Sequence, residues 1–350
     1  MVNVAEKQKK QIDIDQAVPG MIIAQCLIND FGGIVLHEDT ILTASTIIKL
    51  KNLGYRKILA FDMTENEIEE TRQHFEVTYN EGKYLVKDMI KDLGNGKPVD
   101  MEKLQVVTSL LTEKFDNTRD IIDTMSKMRE SSEYTYTHSM NVALLCSLLG
   151  RWLGFDETTI RHLTHTGLLH DVGKVKIPLE ILEKPYRLSE AEFQIMKQHS
   201  TLGYQMLCDI PGINQDIQMG VLMHHEREDG SGYPLGTTGD QIHYFAKIAA
   251  LADIYDAMTS ERCYKSRQSP FDVLEMFENQ SFGILDPKYL MTFTSNIANY
   301  YIGDMVRLNT GEVAEIIFIN PLHVSKPLVR VGDNYLDLFY EKNIKIDDLL

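Results

Sequence analysis

The sequence predicts a mainly α-helical protein with a small α+β module at its N-terminus and a small β-rich module at its C-terminus. Two observations predict this class. From about residue 80 to residue 300, apolar residues recur at i, i+3, i+4 and i+7, the period of helices that bury one face. Towards both ends the apolar runs shorten and glycine-containing turns separate them, as in hairpins. With 350 residues, 43% of them hydrophobic, the chain is globular in composition and long enough for two or three units.

Each element follows in order. Pro19-Gly20 leads into MIIAQCLI, and Asp30-Phe31-Gly32-Gly33 turns the chain into IVLHEDTIL, a predicted β-hairpin. STIIKLKNLGY then has helical spacing, with Ile47, Leu50 and Leu53 on one side and Gly54 as a stop, and KILAF reads as a short strand. These make a module over residues 1–75 without a catalytic set. Residues 76–125 read as a helical linker (YLVKDMIKDL, EKLQVVTSLLTEKF) broken at Gly94-Asn95-Gly96-Lys97-Pro98, and residues 126–300 as the main helical domain, with the helical segment DIIDTMSKM (120–128) across the boundary. In residues 301–350, DMVRLNTGEVAEIIFIN reads as a hairpin around Asn309-Thr310-Gly311, and LVRVGDNYLDL as a third strand.

Charge narrows the function classes. A formal net charge of -16 with no basic tail argues against binding to long nucleic acid or anionic membrane. A small phosphate ester stays open if metals and a few cations reverse the potential inside one cleft. Cys26, Cys146, Cys208 and Cys263 are far apart, without CxxC spacing, and read as reduced packing residues. The N-terminus is too polar for a signal peptide, and the best apolar run, VALLCSLL at 142–149, falls short of the ~20 residues of a membrane span. The expectation is a cytoplasmic protein.

Chemistry concentrates in one set of residues: His138, His170, Asp171, His199, His224, His225 and Asp253. In TGLLHDVGK the apolar Leu168, Leu169 and Val172 carry His170-Asp171 into a core. His138 leads THSMNVALLCSLLG, His199 lies in the predicted helix EAEFQIMKQHSTLGYQML, His224-His225 close IQMGVLMHH, and Asp253 lies in FAKIAALADIYDAM. Any one of these histidines alone is a core or cap residue; together, on apolar helix faces, they build a metal site as helical bundles do. Imidazole and carboxylate suit zinc, iron, manganese or nickel. A metal pair ~4 Å apart suits phosphodiester hydrolysis, because it clamps phosphoryl oxygens and generates hydroxide from a shared water. An Asp is the natural bridge. Lys174 is placed either to neutralise the transition state or to cap a helix C-terminus. Arg262 and Lys265 form a small cationic cluster suited to phosphate, and the loop DGSGYPLG can bring backbone and the Tyr233 ring close to a ligand. Glu226 and Glu228 read as a solvated acidic loop. His162, His165 and His243 read as packing or surface residues.

YTYTHSMNV (134–142), LLHDVGKVKIP (168–178), QHSTLGYQML (198–207), HHEREDGSGYPLG (224–236) and LADIYDAMTSERCYK (251–265), in this order, resemble the HD-GYP family of bacterial cyclic di-GMP phosphodiesterases, a subgroup of the HD phosphohydrolases. The resemblance spans about half the chain. It implies an all-helical HD-type catalytic domain over 126–300 that hydrolyses cyclic di-GMP to linear pGpG or to GMP, with iron or manganese bound. It also implies that His138, His170, Asp171 and Asp253 hold one metal, and that Asp171 bridges to a second held by His199, His224 and His225. Lys174, Tyr233, Arg262 and Lys265 fall where the family contacts substrate. Some members bind a third metal through a Glu one helical turn before the first His; that place is Tyr134 here, and Glu133 is about 100° around the helix. A binuclear site is therefore expected. A cyclic-dinucleotide sensor without turnover, and an HD phosphohydrolase acting on another nucleotide, stay open as alternatives. Partners beyond the nucleotide are a homodimer or signalling proteins.

Overall fold

Strand-forming segments occupy the ends of the chain and helices the span between them. The structure, a computed structural model, describes residues 7–28, 34–36, 38, 40, 42, 44–113, 122, 125, 134–260, 268–280 and 283–350. In chain order the elements are β1 (Lys9–Asp13), β2 (Leu27–Ile28), β3 (Ile34–Leu36), α1 (Ala44–Asn52), β4 (Lys57–Phe61), α2 (Glu65–Gly94), α3 (Met101–Glu113), α4 (Tyr134–Trp152) and α5 (Glu157–Leu169). They continue with α6 (Leu179–Leu182), α7 (Glu190–Met196), α8 (Gln198–Leu207), α9 (Gln215–Met223), α10 (Tyr244–Thr259), α11 (Pro270–Gln280) and α12 (Pro287–Tyr300). Five strands close the chain: β5 (Met305–Leu308), β6 (Val313–Asn320), β7 (His323–Val331), β8 (Asn334–Asp337) and β9 (Ile346–Leu349).

The chain divides into two compact units, residues 1–79, 117–124 and 299–350 in one, residues 80–116 and 125–298 in the other. In the first unit β2 and β3 pair antiparallel as the predicted hairpin, whose turn residues 30–33 lie outside the described residues. β1, KKQID, pairs antiparallel with β4, a strand the sequence reading missed. Its side chains explain why: only Ile12 and the following Ile14 are buried, so no alternating apolar run announces it. These residues pack with Ile23, Leu50 and Ile58. The C-terminal strands form one antiparallel sheet in the order β8-β7-β6-β5-β9. The segment LVRVGDNYLDL, expected as one strand, is instead a hairpin: Val331 pairs with Asn334 across Gly332-Asp333, and Gly332 has φ +58°. Glycine takes the positive φ that a two-residue hairpin turn demands, so the chain reverses where a side-chain pattern alone suggests continuation. α2 runs unbroken through residue 75, where the first module was expected to end.

In the second unit α4 is buried on every side from Ser139 to Gly150, its polar Ser139, Asn141 and Ser147 included. Phe293 of α12, itself fully buried, meets Tyr255 edge-on at 5.2 Å and Trp152 at 6.2 Å, tying α12 to α10 and α4. Asp156 caps α5 by accepting from Thr159 N, and Asn214 caps α9 by accepting from Ile217 N. The predicted single helix EAEFQIMKQHSTLGYQML is broken at Lys197 into α7 and α8. At that break the Met196 carbonyl accepts from the His199 ring. The 3-10 turn Val172–Lys176 lies against α8, and only glycine fits at 173, where a Cβ would stand 1.9 Å from the His199 carbonyl oxygen. That approach sets Asp171 beside His199.

His165 of α5 is buried at 8% exposure, and neither ring nitrogen has a hydrogen-bond partner among the described residues. Burial, reinforced by His162 and Arg161, lowers its pKa to about 4. The unfolded chain therefore binds a proton near pH 6.5 that the folded chain refuses, and the stability held above that pH is lost as pH falls from about 6.5 towards 4. In urea unfolding of metal-free protein between pH 7.5 and pH 5, the parent should lose about 2 kcal/mol more than His165→Leu. Parallel losses in both proteins would contradict this assignment.

Candidate metal centre

Three helix ends supply three imidazoles, and each solves the same local problem. The last carbonyls of a helix have no intrahelical donor. His170, capping α5, donates from Nδ1 to Gly167 O at 2.8 Å; His224, capping α9, donates to Val221 O at 2.7 Å; His199 donates to Met196 O, the end of α7, at 2.7 Å. A carbonyl only accepts, so the proton sits on Nδ1 and Nε2 carries a bare lone pair. This is the tautomer a metal needs, fixed by the fold.

The bare nitrogens converge. His199 Nε2 and His224 Nε2 stand 3.3 Å apart, and His170 Nε2 is buried without a hydrogen-bond partner among the described residues. Asp171 lies among them at 8% exposure. Its Oδ2 is 3.3 Å from His170 Nε2, 3.8 Å from His138 Nε2 and 2.5 Å from Lys174 Nζ, while Oδ1 is 3.4 Å from His199 Nε2. The carboxylate thus faces two ligand groups, one of His138, His170 and Asp171, the other of Asp171, His199, His224 and His225. In each the candidate ligand atoms lie within 4.8 Å of one another. Asp253 enters through His138, with Oδ1 3.1 Å from its Nε2.

Electrostatics agree with the donor set. Burial pushes the Asp171 carboxyl up, but Lys174, His170 and His199 outweigh it and hold the group well below the usual carboxylate range. Burial drives His224 well below the ordinary imidazole value and His225 down to about 3, and it also lowers His199. For His138 burial acts downward, yet the bonds to Asp253 and Asp256 prevail and raise it to about 9. His199, His224 and His225, which burial keeps neutral, stand around an ionised and buried carboxylate, a set that fits a divalent cation whose binding would release the proton His138 otherwise keeps.

The residues expected on the substrate side divide. Lys174 is partly exposed and pairs with Asp171. Tyr233 lies with its ring 4.6 Å from that of His225 at 32°, and its backbone N–H donates to the His225 carbonyl. Arg262 and Lys265 lie outside the described residues, as does Glu133, whereas Tyr134 begins α4.

Two carboxylates went unread in the sequence. Asp256, fully buried, accepts from His138 Nδ1 at 2.7 Å, Asn141 Nδ2 at 2.8 Å and Ser260 Oγ at 3.1 Å. It stands one turn beyond Asp253 on an otherwise apolar helix, the same signal that drew attention to Asp253. Glu226, expected in a solvated loop, is instead buried at 4% exposure and accepts the backbone N–H groups of Leu235, Gly236 and Thr237. Packing beneath the loop is equally close, for a Cβ on Gly232 would stand 2.5 Å from Glu226 Cα. Glu226 therefore holds the DGSGYPLG loop, and with it Tyr233, against the histidine pair. Because Asp256 orients His138 without joining the candidate ligand set, Asp256→Asn should weaken divalent-metal affinity about 10- to 100-fold in an equilibrium titration. Unchanged affinity would show that the bond to His138 is dispensable.

Among the described residues, no helix is long and apolar enough to cross a membrane. Residues 119–288 match the family model described as HD domain. The chain is 30% identical to the cyclic di-GMP phosphodiesterase PA4108 of Pseudomonas aeruginosa over 264 residues, 75% of this chain and 64% of that protein. It is 36% identical to the 3'3'-cGAMP-specific phosphodiesterase 1 of Vibrio cholerae over 49% of this chain and 39% of that protein. It is also 36% identical to the response regulator RpfG of Xanthomonas campestris, a cyclic di-GMP phosphodiesterase, over 47% of this chain and 45% of that protein. The chain spans less than two thirds of the length of each of these relatives. In fold it is similar to Bd1817, a HDG"Y"P protein from Bdellovibrio bacteriovorus, with a TM-score of 0.53 and 16% identity over 83% of this chain and 99% of that one. The ordered signatures, the helical unit that positions them and the family match agree: residues 119–288 of the chain belong to the HD-domain family.

Proposed function

We propose that this chain is a metal-dependent phosphodiesterase that hydrolyses cyclic di-GMP, or a closely related cyclic dinucleotide, to linear pGpG, to GMP or to both. The observation that carries the reading is the convergence of bare imidazole nitrogens, His199 and His224 facing each other at 3.3 Å, on a buried ionised Asp171. Such an arrangement is repulsive without a cation between its members. The names of the relatives from Pseudomonas, Vibrio and Xanthomonas support the substrate class.

In this reading the centre takes two ions, iron or manganese. His138, His170, Asp171 and Asp253 would hold one; His199, His224 and His225 would hold the other, with Asp171 common to both. When bound, the ions supply positive charge for the phosphoryl oxygens and activate water. The chain's own residues do the rest. Asp171 fixes the spacing of the two ligand groups. Lys174, tethered to Asp171 and partly exposed, faces the charge that develops on the phosphorane and gives a proton to the leaving oxygen. Tyr233 forms a wall beside His225, and Arg262 and Lys265 are assigned to the substrate's phosphates. The N-terminal module over 1–75 is assigned a regulatory role, the catalytic domain to 126–300 and the C-terminal strands to a separate β-rich module; dimerisation or a signalling partner completes the picture. A cytoplasmic location goes with this reading, in keeping with the free cysteines Cys26, Cys146 and Cys208.

On manganese- or iron-loaded protein, cyclic di-GMP should be turned over, and His170→Ala and Asp171→Ala should each abolish that turnover. Full activity of either variant with metal loading verified would remove the assignment. Binding of the nucleotide by the parent without turnover would instead make the chain a sensor.

A further inference from the structure

Lys197 is a cation with no carboxylate partner among the described residues, in a chain of formal net charge -16. Its ammonium lies over two aromatic rings, 4.7 Å from the centroid of Phe193 and 5.6 Å from that of Tyr233. The two rings meet edge to face at 6.4 Å. Tyr233 in turn lies against His225, so this trio adjoins the metal centre directly. Phe193 is 40% exposed, although it stands one turn before Lys197 on a helix whose start is fixed by a Ser189–Glu192 capping box. Glu226 fixes the other wall by holding the loop that carries Tyr233. An exposed aromatic surface, a second ring at right angles and an unneutralised ammonium, all on anchored backbone, suit a flat, electron-rich and acceptor-bearing ring.

We propose that Phe193, Lys197 and Tyr233 form a nucleobase subsite beside the metal centre, and that Lys197 makes it selective for guanine over adenine. This rests on the cyclic-dinucleotide reading above. Stacking on Phe193 and Tyr233 is blind to base identity, since every base has a π-face. The ammonium is not blind. It has donors only, and guanine presents two adjacent acceptors, O6 and N7, where adenine sets the N6 amino donor beside N7. Lys197 is thus a specificity-determining residue, separate from Lys174, whose ammonium is engaged by Asp171.

The test is equilibrium binding of cyclic di-GMP and of cyclic di-AMP to metal-free parent, Lys197→Met and Phe193→Ala. Lys197→Met should weaken cyclic di-GMP about 10- to 100-fold and leave cyclic di-AMP unchanged. Phe193→Ala should weaken both nucleotides by similar factors. Divalent-metal content after loading should be the same in parent and variants, which reports an intact centre. Equal losses of both nucleotides in Lys197→Met would make it a phosphate contact and overturn the proposal, as would unchanged binding of cyclic di-GMP. If the parent, metal-free or metal-loaded, binds neither nucleotide and turns neither over yet cleaves bis(p-nitrophenyl) phosphate, the cyclic-dinucleotide reading itself fails, and the subsite with it.

Discussion

The carboxylate of Asp171, buried among imidazole rings and one lysine, is the constraint to which the helical unit answers. An isolated charge at that depth would cost several kcal/mol or more, and a buried group ordinarily neutralises rather than bear the cost. Asp171 does not neutralise: Lys174, His170 and His199 hold it ionised against the effect of burial. The close approach at Gly173 brings it within reach of His199, and the helix end at His170 delivers it to the core. Packing and electrostatics therefore converge on one residue.

The surrounding histidines are oriented by ordinary helix chemistry. A helix C-terminus leaves carbonyls without donors, and an imidazole that satisfies one of them has its other nitrogen turned away. At His170, His199 and His224 that second nitrogen points into the shared space. His138 is held differently, by the buried carboxylate of Asp256 with Asn141 and Ser260 completing the acceptor's partners. The two modes of support differ in charge. Burial keeps the rings of His199 and His224 below the ordinary imidazole value, whereas Asp253 and Asp256 raise His138 to about 9.

Much of this was legible in the sequence because its signals are local. The helical period of residues 80–300, the His-Asp pair inside an apolar run and the glycine turns near residues 309–311 are each contained in a short window. What escaped depends on distant partners. Asp256 contacts a histidine 118 positions away, so only its place on the apolar stripe of α10 hinted at burial. Glu226 looked solvated because its three partners are backbone N–H groups, which no residue type reveals. β1 was invisible because KKQID gains its order from pairing with β4, not from an apolar pattern. The partition of ligands between two metals came from family resemblance. Geometry alone gives two overlapping groups that share Asp171, with Asp253 reached through His138.

The central claim is that one buried carboxylate serves two ions at once. Metal analysis of anaerobically purified protein, alongside Asp171→Asn, tests it most directly. The account predicts two ions per chain in the parent and loss of both from the variant, because each ligand group includes Asp171. A parent holding a single ion, or a variant that retains a full complement, would contradict it.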